Sequence, residues 1–253
     1  MTEFIAVISA KGGVGKTTAS INISMALNHF GSDTLLVDCD FTSANVGTNL
    51  GFPPITKNLH GALNSEYDIR DAVYLHSSGL NVVPGSISYE DIKNIGYESL
   101  QSLFYKLRGP NHVIVDCPPG LGDEVIKIIL AVDSVVIVTT PDLIAVTDTL
   151  KTLHLIRDIK RKMYGVIVNK KTDEEHEMTI DNIKTFLEAK ILGNIPEDRF
   201  FLKSSYYKNP FIFVFPERES SDEYKKIAAD ILGKTYKSES PKIHKGGDTT
   251  HLY

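Results

Sequence analysis

Residues 10–18, Ala-Lys-Gly-Gly-Val-Gly-Lys-Thr-Thr, carry the strongest chemical signal in the chain. Glycines at 12, 13 and 15 let backbone N–H groups approach a ligand with no Cβ in the way. An apolar run, Phe4–Ile8, precedes the segment and an amphipathic stretch follows it, the context that a phosphate-binding loop needs. The N-terminus of the helix adds unpaired donors and a partial positive charge. Lys16 is suited to neutralise β- and γ-phosphates, and the Thr17 hydroxyl to ligate Mg²⁺. Gly12, Gly13, Val14, Gly15 and Thr18 complete the expected phosphate cradle.

Further polar groups stand where apolar runs end. In Val37-Asp38-Cys39-Asp40 the two carboxylates share a side while the chain stays extended. Asp38 could hold Mg²⁺ through water and Asp40 could orient an attacking water, or the pair could simply cap a turn. Asp116 ends the run Val113–Val115 and would support the Mg²⁺ shell. Pro118 and Gly120 follow, and Gly120 could aim a backbone N–H at a γ-phosphate. Asn169 ends a run at Val168, and its amide offers the donor and acceptor that match an adenine edge. A plain turn role is the alternative. Pro196, Glu197 and Asp198 follow another run.

These residues need a scaffold that presents strand ends side by side. Apolar runs at 4–8, 34–37, 80–83, 112–115, 134–139, 164–168 and 191–195 alternate with helical patterns such as 20–30 and 146–162. Several runs are β-branched on both faces, as strands covered on both sides should be. The alternation predicts an α/β fold with a mostly parallel sheet. No linker or repeat divides residues 1–234, whereas 235–253 are polar and aperiodic and read as a flexible tail.

Composition removes other classes. The chain of 253 residues has 27 basic and 32 acidic side chains, a net charge of −5, which argues against wholesale wrapping of nucleic acid. Two cysteines make no disulfide framework or metal motif. The N-terminus lacks the basic start and long apolar core of a signal peptide. No run approaches the roughly 18 apolar residues of a membrane span. A cytoplasmic location is expected.

The loop also departs from the plain pattern. It has Ala10 where glycine is usual, and an additional lysine, Lys11. This form, KGGVGKTT, resembles the deviant Walker A loop of the MinD/ParA ATPases. The resemblance spans residues 2 to 233 with motif order preserved, and is to MinD-like members of archaeal type. It implies a single doubly wound, mostly parallel sheet with helices on both faces, a P-loop NTPase of the SIMIBI type. It implies ATP and Mg²⁺ as cofactors, and a homodimer in which Lys11 reaches the partner's nucleotide. Lys11, Lys16 and Asp40 would then be catalytic. Asp38, Asp40 and Asn45 match the first switch region, and Asp116, Pro118 and Gly120 the second. Asn169 with Pro196, Glu197 and Asp198 matches the base pocket. An activating protein partner is implied as well. The cellular role stays open between MinD-like positioning or division control and ParA-like segregation. A metabolic ligase with the same loop is a third option.

Other features have plainer readings. Cys39 and Cys117 read as small residues at the core edge rather than redox groups. Arg157, Lys160, Arg161 and Lys162 suit a helix end, with nucleic-acid binding the less favoured alternative. Tyr224, Ile227, Ala228 and Ile231 make the stripe of a docked core helix. The tail holds Pro241 and paired glycines, so it should not form a membrane-inserting helix. Attachment to a membrane would be peripheral and would need a partner.

Overall fold

The computed structural model describes residues 1–53, 55–92 and 99–238. Its strands are β1 (Glu3–Ile8), β2 (Thr34–Asp38), β3 (Tyr74–Leu75), β4 (Asn81–Val83), β5 (His112–Asp116), β6 (Ser134–Thr139), β7 (Lys162–Lys171) and β8 (Ile191–Pro196). They form one sheet in the order β3-β4-β2-β5-β1-β6-β7-β8. Every pairing is parallel except β3 with β4. The two-residue edge strand β3 is not among the strands expected from sequence; it ends the short apolar stretch 72–75 and pairs over two residues only.

The helices are α1 (Lys16–His29), α2 (Val46–Asn49), α3 (Leu59–Leu63), α4 (Tyr89–Ile92), α5 (Leu100–Lys106), α6 (Asp123–Ala131), α7 (Leu143–Ile159), α8 (Ile180–Leu187), α9 (Phe200–Tyr206), α10 (Phe211–Val214) and α11 (Glu219–Ile231). The period-two alternation of a strand divides the core into two layers. Phe4, Ala6 and Ile8 of β1 join one core with residues of α5, α6, α7 and α8. Ile5 and Val7 join the other with residues of α1 and α11. The central strands are therefore apolar on both sides, which is why β6 is buried at every position.

Two helices differ from the sequence expectation. α1 begins at Lys16 rather than Ser20, because Gly15 takes the left-handed conformation (φ 90°) that caps it. The helix is also less amphipathic than its pattern suggests. Ser20, Asn22 and Ser24 are buried; the Ser24 hydroxyl bonds the carbonyl of Ser20, and Asn22 accepts the Ile212 N–H. α7 runs over 143–159, not 146–162. Asp142 starts it by accepting the Ala145 N–H, and left-handed Lys160 (φ 57°) stops it.

The basic cluster is thereby split between a helix end, a turn and a strand. Arg157 donates to the Glu188 carbonyl, Arg161 to the carbonyls of Ile129 and Leu130, and Lys162 pairs with Glu3 at 3.0 Å. The 224–231 stripe is buried against the sheet as expected. Tyr236, assigned to the tail by sequence, donates its hydroxyl to Asp222 (2.9 Å) and packs edge-on to Phe30. The rest of the tail, 239–253, lies outside the described residues.

Tyr224 is fully buried, and its hydroxyl has no hydrogen-bond partner among the described residues. An unsatisfied buried hydroxyl costs about 1–3 kcal/mol. Tyr224→Phe is therefore expected to raise stability by about 1 kcal/mol, seen as a higher denaturation midpoint at unchanged m-value. A lower midpoint would contradict the assignment.

Candidate nucleotide-binding site

β1 lies between β5 and β6, and the chain leaves it toward β2 on one side and later builds β7 and β8 on the other. Ligands of open α/β sheets bind at the carboxyl ends of strands at such a reversal. The loop joining β1 to α1 occupies this place. Among the described residues, no protein acceptor receives the backbone N–H groups of residues 12 to 18. Helical geometry leaves the first donors of α1 free, and Gly13 and Gly15 (φ 78° and 90°) turn the loop's own donors inward.

Asp116 at the end of β5 joins this loop to the sheet. It accepts the Thr17 hydroxyl at 2.7 Å and the Ser20 hydroxyl at 2.8 Å, and lies 3.5 Å from the Lys16 ammonium. Ser20 was not singled out from sequence. Its one signal is position: it stands one helical turn after Lys16 and so shares its face.

Asp38 is the direct register partner of Asp116 on β2. It accepts the N–H groups of Val46 and Asp40. Both carboxylates are completely buried, and Asp40 is nearly so. Burial, and then the charge of Asp116, pushes the Asp38 carboxyl up to about 8. Burial also raises Asp116, against the pull of Lys16, Thr17 and Ser20. Two buried carboxylates facing one lysine form a site short of positive charge. With the Thr17 hydroxyl beside them, the all-oxygen donor set fits a magnesium ion, a hard cation.

The remaining predicted residues behave less uniformly. Asp40 leaves the strand and accepts the Ser43 N–H at 3.0 Å within its own loop. Asn45 bonds the Ser43 carbonyl. Gly120 adopts φ 92°, but its N–H is donated to the Ser9 carbonyl at 2.9 Å. Aiming that N–H at a phosphate requires this bond to break. Pro118 follows Cys117, whose own N–H extends the β1 ladder by bonding the Val7 carbonyl. Lys11 sits at the rim, half exposed, 3.8 Å from Asp142. Cys39 and Cys117 are fully buried, and burial raises both thiols well above their ordinary range. They are core residues and stay protonated.

Beside the loop lies a cavity of about 370 Å³, the low end for small-ligand pockets. Asn169, Pro196, Glu197 and Asp198, the residues named from sequence for a base pocket, line it together with Gly15 and Thr18 of the phosphate loop and with Lys170, Phe201 and Leu202. Asn169 donates one amide N–H to the Val14 carbonyl at 2.7 Å, a bond that uses neither its second N–H nor its oxygen. The Asp198 carboxylate is taken by Arg218 and by the Phe200 N–H. That role is to hold the loop leading into α9.

Free backbone donors and a lysine at the reversal point of a parallel sheet suit the polyphosphate of a nucleotide, and the neighbouring cavity suits its base. The fold and site together define a P-loop nucleotide-binding protein. Comparison with known sequences narrows the class. A family profile described as an AAA domain matches residues 2–171. An uncharacterized ATP-binding protein of Methanocaldococcus jannaschii is 30% identical over 243 residues, covering 96% of this chain and 92% of that protein. The septum site-determining protein MinD of Bacillus subtilis is 30% identical over 251 residues, covering 93% and 91%. The structure of MinD from Pyrococcus horikoshii with Mg-ADP superposes with a TM-score of 0.87 at 27% identity, covering 91% and 96%. The chain belongs to the MinD/ParA family of P-loop ATPases.

The raised carboxyl of Asp38 has a thermodynamic consequence for the nucleotide-free protein. Its ordinary value is 3.8 and its folded value about 8. Between those limits the folded state binds the extra proton, so stability falls as pH rises through the interval and levels off above it. Asp38→Asn removes the titrating proton, keeps an acceptor oxygen for one of the two N–H groups, and is expected to flatten that decline. Melting temperatures taken from about pH 5 to about pH 8 check this, and parallel declines in the two proteins would refute it.

Proposed function

We propose that the protein is an ATP-dependent dimerisation switch with slow Mg-ATP hydrolysis. The placement of Lys11 carries this reading. It stands at the mouth of its own loop, half exposed, and its 3.8 Å pairing with Asp142 is long. An exposed pair of this kind is worth about 0–1 kcal/mol, so exchanging it for a phosphate is cheap. Leu143 and Ile144, directly after Asp142, are 60% and 68% exposed. A second subunit against this rim would cover them and receive Lys11.

In this reading Lys16 and the N–H groups of residues 12–18 hold the β- and γ-phosphates of ATP. Lys11 from the partner adds charge where the transition state gathers it. Asp40 orients the attacking water. The Thr17 hydroxyl would hold a magnesium ion, with Asp38 and Asp116 beside it to support the site. The ion's chemistry is to neutralise phosphate charge. Release of Gly120 from Ser9 would report the γ-phosphate to the surface that an activating protein reads.

The cellular role proposed is MinD-like, spatial positioning or division control. It takes support from the septum site-determining relative. A ParA-like role in DNA segregation is less supported, since Arg157, Arg161 and Lys162 are engaged within the chain. No described helix is long and apolar enough to cross a membrane. Attachment to one would run through a partner.

Light scattering tests the switch. The wild type is expected to be a dimer with Mg-ATP and a monomer with Mg-ADP. Lys11→Ala should keep ATP binding yet remain monomeric and inactive; a normal ATP dimer from this variant would end the proposal of donation in trans.

Asp40→Ala separates binding from chemistry. It should bind ATP and dimerise while hydrolysis drops at least about a hundredfold, the usual scale for a lost base or water-orienting group. Turnover within about twofold of wild type, a barrier change of about 0.4 kcal/mol, would assign the water elsewhere.

A further inference from the structure

The carboxyl end of β7 is built irregularly. Val168 pairs with Asn194 and Lys171 with Pro196, so β7 spends one residue more than β8 over that interval. Such a bulge re-aims side chains. Lys170 within it takes a left-handed conformation, φ 59°. The two residues of the bulge then grip the phosphate loop from behind. Asn169, 5% exposed, donates its amide to the Val14 carbonyl at 2.7 Å, and the Lys170 ammonium reaches the Gly13 carbonyl at 2.8 Å.

Peptide planarity turns this grip into a function. In a trans peptide the C=O and N–H point in opposite directions. Holding the carbonyls of Gly13 and Val14 toward β7 directs the N–H groups of Val14 and Gly15 away from it. Neither N–H has a protein acceptor among the described residues. Gly15 permits the approach, since a Cβ there would lie 2.2 Å from the Asn169 amide nitrogen.

The bulge is itself fastened. Glu177 receives the Lys171 ammonium, the N–H and hydroxyl of Thr172, and the N–H of Asp173. Its side chain is 5% exposed. On the other flank the Glu197 N–H bonds the Lys171 carbonyl at 2.9 Å. We propose that the end of β7 is a brace that presets the phosphate loop, with Asn169 and Lys170 as its contacts and Glu177 as its positioning residue. Asn169 then governs affinity for the phosphates, whatever it also contributes to the base. This rests on residues 11–18 being a phosphate loop.

Competition binding on the full chain tests the brace, with ATP and with inorganic tripolyphosphate, which has phosphates and no base. Asn169→Leu keeps volume and removes the donor; Glu177→Gln keeps an acceptor and removes the charge. Each is expected to weaken both ligands by about tenfold, the scale of one buried carbonyl left unpaired. By Coulomb's law alone, deleting the Glu177 carboxylate should strengthen anion binding, so weakening has the sign that only positioning explains. The melting temperature of each nucleotide-free variant checks its fold, and Asn169→Leu carries the test if Glu177→Gln does not fold. Tripolyphosphate affinity within about twofold of wild type in Asn169→Leu, with ATP alone weakened, would make Asn169 a base reader only and overturn the brace. Unchanged affinities in Glu177→Gln would overturn it as well. Lys16→Ala serves as the control: if it leaves both affinities intact, the phosphate-loop reading itself fails.

Discussion

The carboxylate of Asp116 ties the first turn of α1 to the centre of the sheet, through the hydroxyls of Thr17 and Ser20 and the ammonium of Lys16. The group is fully buried. A hydrogen bond to a charged group is worth about 1.5–3 kcal/mol, and loss of its partners would leave a charge stranded in the core. With both ends of the β1–α1 loop anchored, the course of residues 9–15 has little freedom left. The loop's donors point where they do because the helix that follows is held in place.

The same carboxylate makes the site electrostatically unfinished. Parallel strands in register end side by side, so Asp38 and Asp116 meet at the edge. Their mutual repulsion and burial are resolved by protonation, or by a cation and its polyphosphate. A fold optimised only for its own stability would not place these groups together. Local rules are broken where a ligand is meant to complete them.

Around this centre the bonds fall into two kinds. Toward β7 and β8 they are multiple and buried, as with Asn169 on the loop and Glu177 on Lys171, Thr172 and Asp173. Toward Lys11, Asp40 and Gly120 they are sparser: Gly120 on Ser9, Asp40 on Ser43 and Thr42, Lys11 on Asp142. A single bond of that sort nets about 1 kcal/mol, little enough for a ligand's contacts to exchange it. The site thus has a stiff half toward β7 and β8 and a softer half around Lys11, Asp40 and Gly120; in the proposed reading the softer half answers to the γ-phosphate.

Residue type and spacing alone determined the phosphate loop, the strand-end carboxylates and the α/β class. Those depend on local rules: glycine at positive φ, period-two burial, and acids where apolar runs stop. The central strands and the docked helix α11 were legible for the same reason. Tertiary structure decided the rest. β3 pairs only because β4 offers it an edge. α1 is buried nearly all round because Asp116 of β5 and Ile212 of α10 take up Ser20 and Asn22, which the pattern left polar. The basic run at 157–162 is broken by a left-handed residue that no composition reveals. Asn169 reads from the sequence as a residue of the base pocket; only the fold reveals that one N–H of its amide also holds the Val14 carbonyl, 155 residues away in sequence. Glu177 bonds near neighbours in a loop with no periodic pattern to mark it, and Ser20 and Lys170 left almost no trace in the sequence because their partners, Asp116 and Gly13, come from other elements. Only folding brings those carbonyls and carboxylates within bonding distance.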